Sequence, residues 1–469
     1  MVDREAVLDN AKYLRNVRPI DPEEIREYVE GQPHPAVVRR VLREAAFDLG
    51  VIERGDGTFV PVPEAPVDPH LDTVTAFPER YARRLEERLV ERYGPDWHRG
   101  ETGDRLRETV RRTKERYFRG EDVEYDAEAA DGYAIYHLPD FYAAVQYVLD
   151  DLAGDGLLPR RLRVLDVGAG VGGPALGLFD YLPGDALVEY HAVEPGAPAD
   201  VLSAMLDETG RNVHATVRRE RIEDVALQGE YDLLVVANVL SELDEPVRTV
   251  ERLLGSLAPD GTCLVLAPAD ENTSVHLREV ERAVEGTTTE AGTATVYAPE
   301  PRLWSGETPD DRGWSFDVRP DLEVPPFQRR LDEPAGATGE FVNVDVQFSA
   351  AVLRVDGRRR YDLDPAPDRW AKLADTERHV TKRIDCLACK LSRDLSDDGH
   401  PLFRIGDGSQ SVDHYAVLVR ETALNRDVLE ADYGDLLTVD GALALWNDDE
   451  AAYNLVIDEE TVVDRVPPP

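Results

Sequence analysis

Two hydrophobic rhythms divide this chain. Near-continuous apolar runs recur between residues 157 and 298, at 164–167, 188–193, 217–222, 231–237 and 262–267. Stretches with helical spacing separate them. A continuous apolar run suits a strand buried on both faces, and strands alternating with helices predict a doubly wound α/β core with a parallel sheet. The chain before residue 62 has a different rhythm. Helical spacing covers 4–17, 21–30 and 34–46, and then a hairpin turns around Gly55 and Gly57. That order predicts a winged-helix-like unit over residues 1–62.

The remaining segments are less regular. Residues 61–69 form a proline-rich linker, and 77–118 have arginine-rich helical spacing. Together with an aromatic stretch at 133–142 and a predicted helix at 143–152, they make up a linker and helical region, 63–156. After the core, 299–360 is an extension rich in Pro, Gly and Asp, with strand-like alternation at 341–355. Residues 361–469 mix short strands and turns and predict a small β-rich domain of barrel type.

Candidate chemistry gathers at the first core strand. Asp166 stands near its end, and Gly168, Gly170, Gly172 and Gly173 follow at once. A strand, a glycine-rich turn and a helix start form a nucleotide cradle at the carboxyl edge of a parallel sheet. A dinucleotide site uses its helix start to hold a pyrophosphate. An acid ahead of the glycines opposes an anion and suits a cation. S-adenosylmethionine carries an ammonium and a sulfonium and no phosphate, so it is the expected cofactor. Glu194 ends the second strand, where a carboxylate accepts from ribose hydroxyls. Glu223 and Asp224, after the third, are placed for the adenine amine, and Asn238 ends the fourth. The expected cofactor-binding set is therefore Asp166, Gly168, Gly170, Gly172, Glu194, Glu223, Asp224 and Asn238. No catalytic residue can be assigned from the sequence, and no metal ligand set is expected.

Charge changes the picture of the solvent. The 469 residues carry a formal net charge of -41, and only five of the 53 basic residues are lysine. Self-repulsion of that size opposes folding at low salt and is screened over about 3 Å at molar salt. A halophilic, reducing cytoplasm is the expected setting, in keeping with three cysteines and no apolar run of membrane-spanning length. Arg39, Arg40 and Arg43 on the third helix make DNA binding through residues 1–62 an open alternative to a docking role. For Arg105, Arg107, Arg111 and Arg112 an RNA-facing stripe and a solvated helix face both remain open. Cys263 falls mid-strand and reads as inert packing.

Several stretches bear a family resemblance. They are Tyr136–Pro139, Leu165–Gly170, Tyr231–Leu243, Val296–Pro301, Gly313–Phe316 and, more weakly, Tyr433–Leu437. The chain resembles the methyltransferase-like family associated with the mitochondrial and prokaryotic small ribosomal subunit. That resemblance implies a class I S-adenosylmethionine-dependent methyltransferase core, with the small ribosomal subunit or its rRNA as substrate or partner. A non-catalytic assembly factor and a winged-helix DNA-binding regulator are the alternatives. The family also implies an iron–sulfur cluster held by cysteines. Here Glu300, Arg302 and Ser315 stand at the matching positions, and none supplies a soft thiolate. An iron–sulfur cluster is therefore not expected. Cys386 and Cys389 leave a zinc site open only with further ligands. The aromatics at 133–142 suit either packing or a lid over the cradle.

Overall fold

The computed structural model describes residues 2–119, 125–227 and 229–468. It divides into two compact units. The first comprises Met1–Val225, Tyr231–Leu233 and Leu322–Val344, and the second Ala226–Glu230, Leu234–Asp321 and Asp345–Pro469.

The first unit begins with helices α1 (Arg4–Leu14), α2 (Pro22–Ile25), α3 (Pro35–Glu44) and α4 (Ala46–Leu49). Each of the first three is capped by the residue before it. Asp3 accepts from Ala6 N–H, Asp21 from Glu23 N–H, and the His34 ring from Ala36 N–H. These side chains satisfy donors that a helix start leaves orphaned. Strands β1 (Val51–Glu53) and β2 (Phe59–Pro61) form the antiparallel wing. Val7, Ala11, Leu14, Ile20, Val38, Leu42 and Phe59 share its core. Helices α5 (Glu79–Tyr93) and α6 (Gly100–Phe118) follow, so the predicted helical stretch breaks at Gly94, whose φ is +87°.

Helix α7 (Ala127–Gly154) runs straight through the aromatic stretch. The sequence predicts a helix only from residue 143, because Pro139 cannot donate a backbone hydrogen bond. The structure answers that loss with the side chain of Gln328, which donates to the Ile135 carbonyl. Next come strands β3 (Arg161–Val167), β4 (Leu187–Val193) and β5 (Val213–Arg218), paired in parallel with β4 in the middle. Helices α8 (Gly173–Tyr181) and α9 (Pro198–Leu206) connect them. The third strand lies earlier than the expected 217–222, and Ile222–Asp224 forms a 3-10 turn instead. β5 is the edge strand and half-exposed, so no apolar run marks it. Strand β6 (Tyr231–Ala237) gives its first three residues to this unit.

The second unit takes the rest of β6, helices α10 (Pro246–Leu254) and α11 (Glu271–Val284), and strands β7 (Leu257–Pro268), β8 (Thr295–Ala298), β9 (Asp317–Arg319) and β10 (Val346–Arg354). The sheet is mixed: β10 pairs antiparallel with β7, β8 and β9. The Rossmann-like core sheet thus extends beyond residue 298 into the alternating stretch near 350.

The C-terminal strands are β11 (Arg383–Lys390), β12 (Leu402–Gly406), β13 (His414–Leu418), β14 (Leu436–Asn447), β15 (Ala452–Ile457) and β16 (Val462–Val466). Their order is β11-β12-β13-β15-β14, and β14 pairs back onto β11, with β16 added outside. β13 and β15 are parallel, and the other pairs are antiparallel. The barrel-type β-rich region is therefore present, as a closed five-stranded barrel with the connectivity of an OB fold. Even-numbered Cys386 and Ala388 point into its core with Phe403, Ile405 and Leu455. Odd-numbered Leu387 and Cys389 pack outside it with Leu303, Trp304 and Tyr361.

One contact in the first unit rests on the absence of a side chain. Helices α7 and α8 meet at Gly173 and Gly177. A Cβ on Gly177 would collide with the Tyr142 carbonyl and the Val145 side chain. Gly177→Ala is expected to cost roughly 1–3 kcal/mol in urea denaturation, as overpacking does. Gly184→Ala, where a Cβ meets nothing within 4 Å, should stay within about 0.5 kcal/mol.

Candidate functional site

The cradle is built at the carboxyl ends of β3 and β4. Gly168, Gly170 and Gly172 have φ of +63°, +54° and +97°, a region costly for any residue with a Cβ. The loop is tied down by Gly168 N–H, which donates to the Val193 carbonyl at 2.8 Å. Gly172 is also the N-cap of α8, and a Cβ there would lie 2.7 Å from Leu202 Cδ1.

Asp166 is 1% exposed. Its Oδ2 accepts from Tyr190 Oη at 2.6 Å, while its buried Oδ1 has no hydrogen-bond partner. Burial pushes this carboxyl up to about 7; the Tyr190 hydrogen bond opposes the rise and the Glu194 charge adds to it. Glu194 Oε2 accepts from Gly170 N–H at 3.0 Å and its Oε1 from Gly196 N–H at 2.8 Å. Burial also raises the Glu194 carboxyl, against those two bonds. Among the described residues no cation pairs with either group. Two buried acids with an orphaned oxygen suit a positively charged ligand and repel a phosphate.

The other expected residues follow the next two strands. Glu223 and Asp224 are exposed on the 3-10 turn after β5, and Glu223 lies 3.5 Å from Arg221. Asn238 belongs to the second unit. It follows β6 with φ of +56°, a conformation asparagine tolerates, and donates its N–H to the Leu266 carbonyl. Sequence reading missed Tyr190 and Gly196. The first was legible as a hydroxyl inside an apolar strand, the second as a glycine two residues after Glu194.

The basic residues are mostly engaged. Arg39 and Arg43 both reach Glu53 on the wing, and Arg40 pairs with Glu44. Arg105 pairs with Glu128, Arg107 with Asp104, and Arg111 with Glu340, while Arg112 is exposed. The positions matched to the iron–sulfur ligands are filled by a buried polar network. Glu300 accepts from Gln410, Arg302 pairs with Glu281 and Glu285, and Ser315 Oγ lies 2.9 Å from Tyr433 Oη. These groups satisfy one another and do not fit a cluster that needs thiolates. Cys386 and Cys389 face opposite sides of β11, which rules out a shared site, and burial raises both thiols. The Cys263 thiol is likewise raised, to about 12. No group of three His, Cys, Asp or Glu among the described residues is arranged to hold a metal ion.

Residues 165–263, which contain this cradle, match the methyltransferase domain family. The core is a class I S-adenosylmethionine-dependent methyltransferase domain. Its cofactor is S-adenosylmethionine, whose cationic centres suit the acids of the cradle. Residues 4–55 and 374–466 match the N-terminal and C-terminal domains of a domain of unknown function (DUF8157). No curated protein matches the chain. Among solved structures, an S-adenosylmethionine-dependent methyltransferase from Clostridium acetobutylicum is 10% identical, over 33% of this chain and 56% of its own, with a TM-score of 0.23. The YcgJ protein from Bacillus subtilis is 24% identical over 23% and 45%, with a TM-score of 0.20. The mitomycin 7-O-methyltransferase MmcR is 18% identical over 56% and 75%, with a TM-score of 0.24. The chain thus spans about half the length of the first two.

The raised Asp166 carboxyl makes a signed prediction for the methyltransferase domain. A cationic ligand favours the ionised form, so below pH 7 binding must first release a proton. Calorimetric affinity for S-adenosylmethionine should weaken by up to roughly tenfold per pH unit below the carboxyl's own value and level off above it. Asp166→Asn should bind more weakly and lose this dependence.

Proposed function

We propose that this chain transfers the methyl group of S-adenosylmethionine to the RNA of the small ribosomal subunit, in a saline cytoplasm. The observation that carries methyl transfer is the pair of buried acids beside the glycine loop, neither paired with a basic side chain among the described residues. Asp166, Glu194 and the glycine backbone are proposed to hold the cofactor, with Glu223 and Asp224, on the turn after β5, proposed for its adenine. The cofactor supplies an electrophilic methyl group, and the protein's task is to align an acceptor with it.

The acceptor reading is supported by the resemblance carried by residues 136–139, 231–243, 296–301 and 313–316. The C-terminal barrel adds an analogy of fold, since OB barrels elsewhere bind oligonucleotides. Part of its β12 surface is taken up by its own chain, where Arg404 is buried between Asp311 and Asp413. The DNA-regulator reading loses support from Arg39 and Arg43, which hold Glu53. The net charge of -41 supports the saline setting. Among the described residues no helix is long and apolar enough to cross a membrane.

The test is transfer of labelled methyl groups at molar KCl to small-subunit RNA from a strain lacking this protein. Incorporation into that RNA, and not into RNA from the parent strain, is the expected result. No incorporation, with co-sedimentation on small-subunit precursors, would replace this reading with a non-catalytic assembly factor. Recovery on DNA alone would overturn both.

A further inference from the structure

Helix α7 contains a polar cluster that the cofactor reading does not use. Pro139 removes the N–H that would have reached the Ile135 carbonyl one turn earlier. Gln328, fully buried, replaces it: its Nε2 donates to Ile135 O at 2.9 Å and lies 3.2 Å from Tyr136 O. The same side chain fixes Asn343, whose N–H donates to Gln328 Oε1 at 3.0 Å. Asn343 Nδ2 in turn donates to Asp140 Oδ2 at 3.0 Å, and His137 Nδ1 lies 3.3 Å from that oxygen. The helix defect, the amide relay and the His–Asp pair therefore form one connected device.

Two features mark it as more than packing. Asp140 is buried and its Oδ1 has no hydrogen-bond partner. His137 keeps 28% of its side chain exposed, and its Nε2 makes no hydrogen bond among the described residues. His137 Nδ1 also lies 3.2 Å from Asn343 Nδ2, whose amide hydrogen is already directed at Asp140 Oδ2 at 3.0 Å. With Asp140 ionised, and so only an acceptor, the tautomer that serves it carries its proton on Nδ1 and leaves Nε2 as a base.

The cluster also borders the cradle. Aromatic rings run in sequence from Tyr125 to Tyr133 (5.3 Å), His137 (4.9 Å) and Phe141 (5.0 Å, interplanar angle 10°). At one end, Phe141 Cβ stands 2.8 Å from where a Gly173 Cβ would be, at the start of α8. At the other, the Tyr125 carbonyl lies 3.9 Å from the corresponding point on Gly196, whose N–H holds Glu194. The residues that carry these rings thus run from the glycine turn to the loop that holds Glu194. Tyr136 lies 4.8 Å from His137 and accepts a hydrogen bond from Lys114 at 2.7 Å.

We propose that His137 takes the proton from the methyl-accepting group, that Asp140 positions His137, and that the acceptor is a planar group with an O–H or N–H, stacked among Tyr133, Tyr136 and His137. The proposal rests on the cradle binding S-adenosylmethionine. The acceptor's lone pair forms the new bond to the methyl carbon, the carbon–sulfur bond breaks with its electron pair left on sulfur, and the acceptor's proton passes to Nε2. Sulfur leaves as S-adenosylhomocysteine, and the imidazolium returns its proton to water.

The test uses the full chain, with diethyl pyrocarbonate as a probe of unprotonated imidazole and peptide mass mapping of the adduct. His137 should react, and saturating S-adenosylhomocysteine should slow it about tenfold. Asp140→Asn should slow the reaction without changing the calorimetric affinity for S-adenosylhomocysteine. Equal reactivity with and without calorimetrically bound S-adenosylhomocysteine would overturn the proposal and leave the cradle reading standing. Absence of S-adenosylhomocysteine binding would overturn both. Nitrogen-15 spectra of ring-labelled histidine on the unaltered chain give an independent check. The proton of neutral His137 should reside on Nδ1, and finding it on Nε2 would refute the assignment.

Discussion

A negative charge buried without a partner is the constraint on which the cofactor site depends. A carboxylate in a dry interior either takes up a proton or waits for a cation. At Asp166 one oxygen is held by Tyr190 and the other has no partner among the described residues, so the cradle by itself is electrostatically incomplete. The glycines with positive φ bring backbone, and no further side chain, up to the same space. Glu194 strengthens the effect, because its own oxygens are occupied by backbone donors and not by a basic side chain. Specificity for a cationic nucleoside over a phosphorylated one then follows from charge.

A second constraint is steric and meets the first at the same loop. Gly173 and Gly177 strip one face of α8 so that the backbone of α7 can approach it. That approach sets α7 beside the glycine turn, with Phe141 against Gly173. Pro139 interrupts the helix one turn from this contact, and Gln328 supplies the missing donor. The aromatic stretch is therefore a rigid part of the helix wall beside the cradle, which favours a fixed border over a hinged lid.

The legible and illegible parts of this molecule separate by the range of the interactions that specify them. The β3–glycine–α8 turn was legible because every determinant lies within a few residues. Glu194 was legible because its place at a strand end follows from the alternation of strands and helices. β5 was misplaced because an edge strand has no continuous apolar signature. The full length of α7 was hidden because its repair comes from a glutamine nearly two hundred residues downstream. A barrel could be expected after residue 361, but its closure could not. That closure depends on β14 pairing with β11, distant in sequence, with Gly441 at φ of +80° between the part of β14 that pairs with β16 and the part that pairs with β15. Asn238 reads naturally as a fourth-strand terminus, yet its left-handed backbone is a tertiary feature.

The cysteines carry a practical consequence. All three are buried, and burial raises every thiol, so the folded protein presents no reactive sulfur to solvent. A single cysteine introduced on the surface would be the one site open to a maleimide dye or spin label. This chain therefore comes ready for distance measurements by fluorescence or electron paramagnetic resonance, with no native residue needing replacement.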